Sequence, residues 1–217
     1  MISIAIDGPS GSGKSTLSKE VAQKLGFLHI DTGALYRAIA YYVFENQVQV
    51  DDVHEVLNNI NIDLKFQNGQ QKVILNGKDV SEKIRTPEIS TLSSQVSKIK
   101  EVRDFLLKTQ RDLAKENDVI MDGRDIGTAI LPNATVKIFL TASSETRAKR
   151  RYLQLTQSGV KCDYSQILKG VVERDNQDMN REISPLKKAD DAILFDTTNL
   201  NFDESIAQII RIIKTHI

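Results

Sequence analysis

The sequence contains no tryptophan and one cysteine, Cys162. A lone cysteine excludes an intrachain disulfide framework and a cysteine-based zinc site, and it fits a reducing compartment. Histidine is also scarce. His29, His54 and His216 show no metal-ligand spacing and are expected to be structural or surface residues. Neither sign of charge is in excess, because 29 basic residues balance 29 acidic ones. This balance argues against a general nucleic-acid or membrane-surface role, so the cations have to be read by local cluster. No apolar run is long enough to span a membrane. The apolar start MISIAI is stopped by Asp7 and Gly8 and has no basic residues before it. It is therefore expected not to be a secretion signal, and the cytoplasm is the expected location. Internal repeats and low-complexity linkers are missing as well.

What is present alternates. Short apolar runs at 2–6, 27–30, 119–121, 136–140 and 193–195 read as buried strands. Helical periodicity covers 14–25, 33–45, 102–115, 145–157, 164–178 and 202–216, and Gly26 stands where a helix C-cap glycine belongs. Strands alternating with helices over 217 residues predict one α/β domain, a three-layer fold with a central parallel sheet. One segment breaks the rhythm. IDLKFQNGQQKVILNGKDV, at 62–80, alternates apolar and polar residues around Asn68-Gly69, and Asn76-Gly77 follows. It predicts an antiparallel hairpin in an insertion, about 62–97, lying off the main sheet.

The stretch DGPSGSGKST follows the first strand and opens the first helix. Gly8, Gly13, Lys14 and Ser15 match the spacing G-x-x-x-x-G-K-[ST]. In such a P-loop, glycines let backbone amides from Gly8 through Thr16 turn into one concavity, and the helix N-terminus adds positive potential. Pro9, Ser10, Gly11 and Ser12 complete the cradle. Lys14, expected in an exposed loop, suits β- and γ-phosphates, and the Ser15 hydroxyl suits Mg²⁺. The expected ligand is ATP with its magnesium.

A P-loop does not by itself separate kinases, GTPase switches and motors. The guanine-reading Asn-Lys-x-Asp motif is missing, and motor ATPases are generally larger. Scattered arginines, Arg37, Arg103, Arg124, Arg174 and Arg181, suit clamps on phosphates. Asp122-Gly123-Arg124-Asp125 follows a buried strand, and acids with an arginine at the C-terminal edge of a parallel strand fit the usual ligand position. Asp122 is a candidate to hold Mg²⁺ through water. By spacing alone, Glu173-Arg174-Asp175 and Asp178 with Arg181 read better as ordinary helix-surface ion pairs than as site residues. RAKRRYLQ, at 147–154, is the one basic cluster. Aromatic residues are only 6% of the chain, so a nucleic-acid patch is the weaker reading there.

DTGALYR (31–37), SSQVSKIKEVRDFL (93–106), DGRDIGT (122–128) and ERDNQDMNREISPL (173–186) follow the P-loop in order. Together they resemble the motif set of bacterial cytidylate kinases, over nearly the whole chain. The resemblance implies transfer from ATP to CMP or dCMP, an enlarged monophosphate-binding insertion at 62–97, and a lid at about 147–181. It implies that Arg37 and Arg124 grip the acceptor phosphate and that Thr32, Arg103 and Asp125 face the cytosine. Ser94, Arg174 and Asp178 would lie near the sugar. Arg174 and Arg181, with Lys14 and Arg124, would serve the transferring phosphate. Arg147 and Arg151 would touch donor phosphates from the lid. Relatives often carry serine where this chain has Thr32. A monomer without nucleic-acid or membrane partners is expected. Another small-molecule P-loop kinase and a nucleotide-binding regulator without transfer activity stand as alternatives.

Overall fold

The computed structural model describes residues 1–67 and 70–217. In chain order its elements begin with β1 (Ser3–Asp7), α1 (Lys14–Leu25), β2 (Leu28–Asp31), α2 (Thr32–Glu45) and the single turn α3 (Val53–Val56). β3 (Ile62–Gln67), β4 (Gln70–Leu75) and β5 (Lys78–Asp79) come next, then α4 (Pro87–Val96) and α5 (Lys100–Glu116). The chain ends with β6 (Val119–Gly123), β7 (Val136–Thr141), α6 (Ser144–Gln157), α7 (Tyr164–Asn180), β8 (Ile193–Asp196) and α8 (Phe202–His216). Among the described residues, no helix is long and apolar enough to cross a membrane.

The main sheet has five strands in the order β2-β6-β1-β7-β8, and every pairing is parallel. Alternation along the strands divides the core. Ala5, Val119 and Met121 pack on one face with α2, α5 and the insertion. Ile4, Ile6, Ile120 and Ile138 pack on the other with α1 and α8. This is the three-layer arrangement the sequence predicts, and burial on both faces explains why its strands read as unbroken apolar runs.

The insertion forms its own antiparallel sheet, β3-β4-β5. Leu64, Val73 and Leu75 point from it into the first core. Asn76 and Gly77 both have positive φ, the geometry of the tight β4–β5 turn. The expected turn at Asn68-Gly69 lies outside the described residues. Two features exceed the sequence reading. α4 begins at the Thr86 cap with Pro87 in its first turn, and a wide five-residue turn, Ile126–Ile130, follows β6.

Local signals place the helix ends that carry the site. Gly13, at φ 90°, starts α1 with its amides free, and Gly26, at φ 72°, ends it. Asp31 caps α2 by accepting from the Ala34 amide. Asp163 caps α7 and Ser143 caps α6 in the same way.

Candidate functional site

The C-terminal ends of β1, β2 and β6 open into one cavity of about 220 Å³ between the P-loop, α2, α4 and α7. Six cations line it, Lys14, Arg37, Arg103, Arg124, Arg174 and Arg181, against four carboxylates, Asp31, Asp122, Asp125 and Asp178. The cation excess makes it a site for anions.

Gly8 sits so close to β7 that a Cβ there would lie 1.9 Å from the Leu140 carbonyl oxygen, so only glycine fits at the start of the loop. Contrary to expectation, Lys14 is buried. Its Nζ donates to the Pro9 carbonyl at 3.1 Å. Burial pushes its amine down to about 7, and neighbouring Arg124 adds to the effect. The loop folds back over its lysine, which is why an exposed side chain is not seen. Ser15 Oγ donates to Asp122 Oδ2 at 2.5 Å, and His29 Nε2 lies 2.7 Å from Asp122 Oδ1. His29 thus stands behind the site and was missed by sequence reasoning, since nothing in its spacing reveals the cross-strand neighbour.

On the far side of the cavity each carboxylate is shared among cations. Asp31 accepts from Arg37 at 2.7 Å and lies 3.5 Å from Arg85. Burial works against its charge, but Arg37, Arg85 and His29 outweigh it and hold the carboxyl below its usual range. Arg37 Nε is buried with no partner. Asp178 accepts from Arg124 Nε at 2.8 Å and from Arg174 Nε at 3.3 Å. Burial again opposes the charge, and the two arginines hold the carboxyl low. Asp178 is 4% exposed, so the surface ion-pair reading fails for it. Asp125 is paired with Arg103 and lies 3.4 Å from Arg181, whose Nε donates to the Ser184 carbonyl at 2.6 Å. Arg103 also stacks over the Tyr36 ring at 5.6 Å. The Thr32 hydroxyl donates to the Asp122 carbonyl at 2.9 Å, which leaves its oxygen only lone pairs to offer a ligand.

Several predicted residues lie outside this cavity, among them Ser12, Gly13 and Thr16, which line the outer side of the P-loop. Ser94 and Arg151 line the wider cleft, about 680 Å³, between α4, α6 and α7. Arg151 bonds only to Gln154 of its own helix among the described residues. Arg147 is committed elsewhere. It donates to the Ala142 and Ser10 carbonyls and pairs with Asp175. Arg150, not singled out from the sequence, reaches the Ser12 and Thr197 carbonyls. With Thr16, Phe202 and Asn201 it lines a third cavity, about 380 Å³, on the outer side of the P-loop.

Asp7 was also missed. Its two carboxylate oxygens accept from the Ile126 and Gly127 amides at 2.7 and 2.8 Å. Burial pushes its carboxyl up to about 6 despite those amides. Asp7 carries the same signal as Asp122, an acid at the C-terminal edge of a buried strand.

A sequence model of the cytidylate kinase family matches residues 4–215. The cytidylate kinase of Caldicellulosiruptor saccharolyticus is 53% identical, covering 97% of this chain and 95% of that protein. That of Lactobacillus johnsonii is 51% identical over 99% of this chain and 94% of its own, and that of Bacillus cereus strain G9842 is 47% identical over 98% and 96%. Among solved structures, an uncharacterised protein from Eubacterium ventriosum superposes with a TM-score of 0.53 at 15% identity, covering 99% of both chains, a likeness of fold alone.

Proposed function

The chain belongs to the cytidylate kinase family and is a kinase, and from that premise we propose that it transfers the γ-phosphoryl group of ATP to CMP or dCMP. The products are ADP and CDP or dCDP. One observation carries the reading to this site: a phosphate loop with its lysine and a cluster of arginines with paired carboxylates share one small cavity.

An oxygen of the acceptor phosphate attacks Pγ as the bond from Pγ to the β–γ bridging oxygen breaks. The attacking group is already an anion, so no strong base is needed, and positioning with charge neutralisation carries the rate. The P-loop amides and Lys14 hold the donor. Arg37 and Arg124 hold the acceptor phosphate, and the Arg37 guanidinium, bonded to Asp31 through one nitrogen, keeps donors free for it. Arg174 and Arg181 meet the charge on the transferring group once α7 closes. Ser94, Arg174 and Asp178 serve the sugar, and Thr32, Arg103 and Asp125 the cytosine. Arg147 braces the loop through the Ser10 carbonyl, while Arg151 remains available to donor phosphates.

Ser15 and Asp122 offer adjoining hard oxygens, which fits magnesium arriving with the triphosphate. Among the described residues there is no group of three His, Cys, Asp or Glu side chains that could hold a metal without it. When bound, the ion neutralises charge on the β- and γ-oxygens. All the residues named lie in one chain, and the reading invokes no residue of a second protomer.

ADP release, coupled to a reporter and measured with CMP, dCMP, UMP, AMP, GMP and non-nucleotide hydroxyl acceptors, tests the reading. CMP and dCMP should be turned over far better than the rest. Preference for a different acceptor, or nucleotide binding without transfer to any, overturns it.

A further inference from the structure

β2 is an edge strand of the main sheet, paired with β6 on one side only. An edge leaves backbone donors and acceptors open. At Asp31 they are closed by a side chain. Gln71 Oε1 accepts from the Asp31 amide at 2.9 Å, and Gln71 Nε2 donates to the Asp31 carbonyl at 3.2 Å. The primary amide pairs with this one residue as a neighbouring strand's peptide group would.

The position of Gln71 makes this contact stand out. It lies on β4 two and four residues before Val73 and Leu75, both buried in the first core. With a period of two, Gln71 shares their inward face. A glutamine there interrupts an apolar stripe, and burying an amide is costly unless it is satisfied. Asp31 satisfies it.

Asp31 is also the residue that orients Arg37, holding its guanidinium at 2.7 Å and leaving Nε unpartnered. Gly33 makes room for the pair, since a Cβ there would lie 3.1 Å from Asp31 Oδ1 and 3.3 Å from an Arg37 nitrogen. Arg85, from the same insertion as Gln71, reaches the same carboxylate. The insertion therefore fixes Asp31 twice, by its backbone through Gln71 and by its side chain through Arg85.

We propose that Gln71 is a positioning residue. By completing the edge of β2 it fixes Asp31, and through Asp31 it presents Arg37 to the acceptor phosphate. The role of Arg37 is the reading proposed above, and the inference rests on it. The insertion is then part of the acceptor site even where it touches no substrate.

The test compares Gln71→Ala and the near-isosteric Gln71→Met with Lys72→Ala. Lys72 points the other way and pairs with exposed Asp79. Both Gln71 variants should raise KM for CMP about 3- to 10-fold, the size expected for loss of one or two net hydrogen bonds. KM for ATP should stay within about twofold of wild type, and Lys72→Ala should change neither. Hydrogen exchange at the Asp31 amide should accelerate in the Gln71 variants only. A CMP KM that stays at the wild-type value while that amide exchanges faster overturns the proposal and leaves the kinase reading intact. So does an equal rise in both KM values with a lowered melting temperature, because Gln71 then only anchors the insertion. If wild type prefers another monophosphate, the same comparison with that acceptor decides the matter. A wild type that uses no acceptor at all overturns both.

Discussion

Lys14 holds its charge in an unfavourable place. Its amine is buried and sits at about 7 in the free protein, whereas an unfolded chain keeps it near 10.5. Between those values the unfolded state binds more protons, so this residue lets stability rise with pH from about 7 upward. The same imbalance predicts proton uptake on ligand binding. Near pH 8 most free molecules carry a neutral Lys14, and a triphosphate draws the proton back. Calorimetric titration with ATP in two buffers of different ionisation enthalpy should give an uptake approaching one proton at pH 8 and much less at pH 6. Lys14→Met should remove the difference, reduce kcat by on the order of 10²-fold or more, and leave the fold intact. Asp125 presents the matching case on the acceptor side. A carboxylate can only accept, so under the proposed roles Asp125 would welcome the C4 amino group of cytosine and be left facing the carbonyl of uracil. Asp125→Asn should lower kcat/KM for CMP tenfold to several hundredfold and narrow the ratio of CMP to UMP. Here Arg103 and Arg181 also lose an anionic partner, so the melting temperature should fall. A CMP-to-UMP ratio that keeps its wild-type value would show that the base is read elsewhere.

Elements are joined at the site by carboxylates placed on strand ends. Asp7 closes β1 against the wide turn after β6, and so fixes the spacing between the phosphate loop and Asp125. Its folded carboxyl sits at about 6, above the ordinary 3.8. The folded state therefore binds more protons between those values, and the contribution of Asp7 is present at pH 4 and lost as pH rises through 6. Asp7→Asn should look most destabilising near pH 4. Relative to wild type it should improve by on the order of 2–3 kcal/mol toward pH 7, as read from denaturant unfolding at each pH. This clip also shows what a linear reading captures. The P-loop, the strands and α8, whose bounds match the predicted 202–216, are legible because their signals lie within one element. Asp7, His29 and Gln71 are not, because each acts on a group 119, 93 and 40 residues away. Lys14 was legible in identity and misread in environment, since burial depends on how the loop folds over it. Arg174 and Asp178 could not be told from a surface pair until Arg124, 54 residues away, was seen on the same carboxylate.

At the scale of the whole molecule, the wide cleft of about 680 Å³ between α4 and the α6–α7 pair adjoins the small cavity, sharing Ser10, Arg37 and Arg174 with it, and is lined by Ser94 and Arg151. Closure of α4 and α7 across it should bring these residues to the substrates and exclude water, so that ATP is transferred rather than hydrolysed. Small-angle scattering should record a smaller radius of gyration with CMP and a non-hydrolysable ATP analogue together than with neither. ATP hydrolysis without an acceptor should run at well under a tenth of the transfer rate, and a comparable rate would argue against closure. The sheet separates two hydrophobic cores beneath the one shared cavity. The hydrophobic cluster that supports α2, α4, α5 and the insertion lies on one face, and the cluster beneath α1 and α8 lies on the other. Substitutions in the helices of opposite layers, which pack into different clusters, should add independently. Because the proposed acceptor residues of α2, α4 and α5 rest on the cluster that α8 does not touch, a chimera exchanging α8 alone should inherit its parent's choice of pyrimidine unchanged.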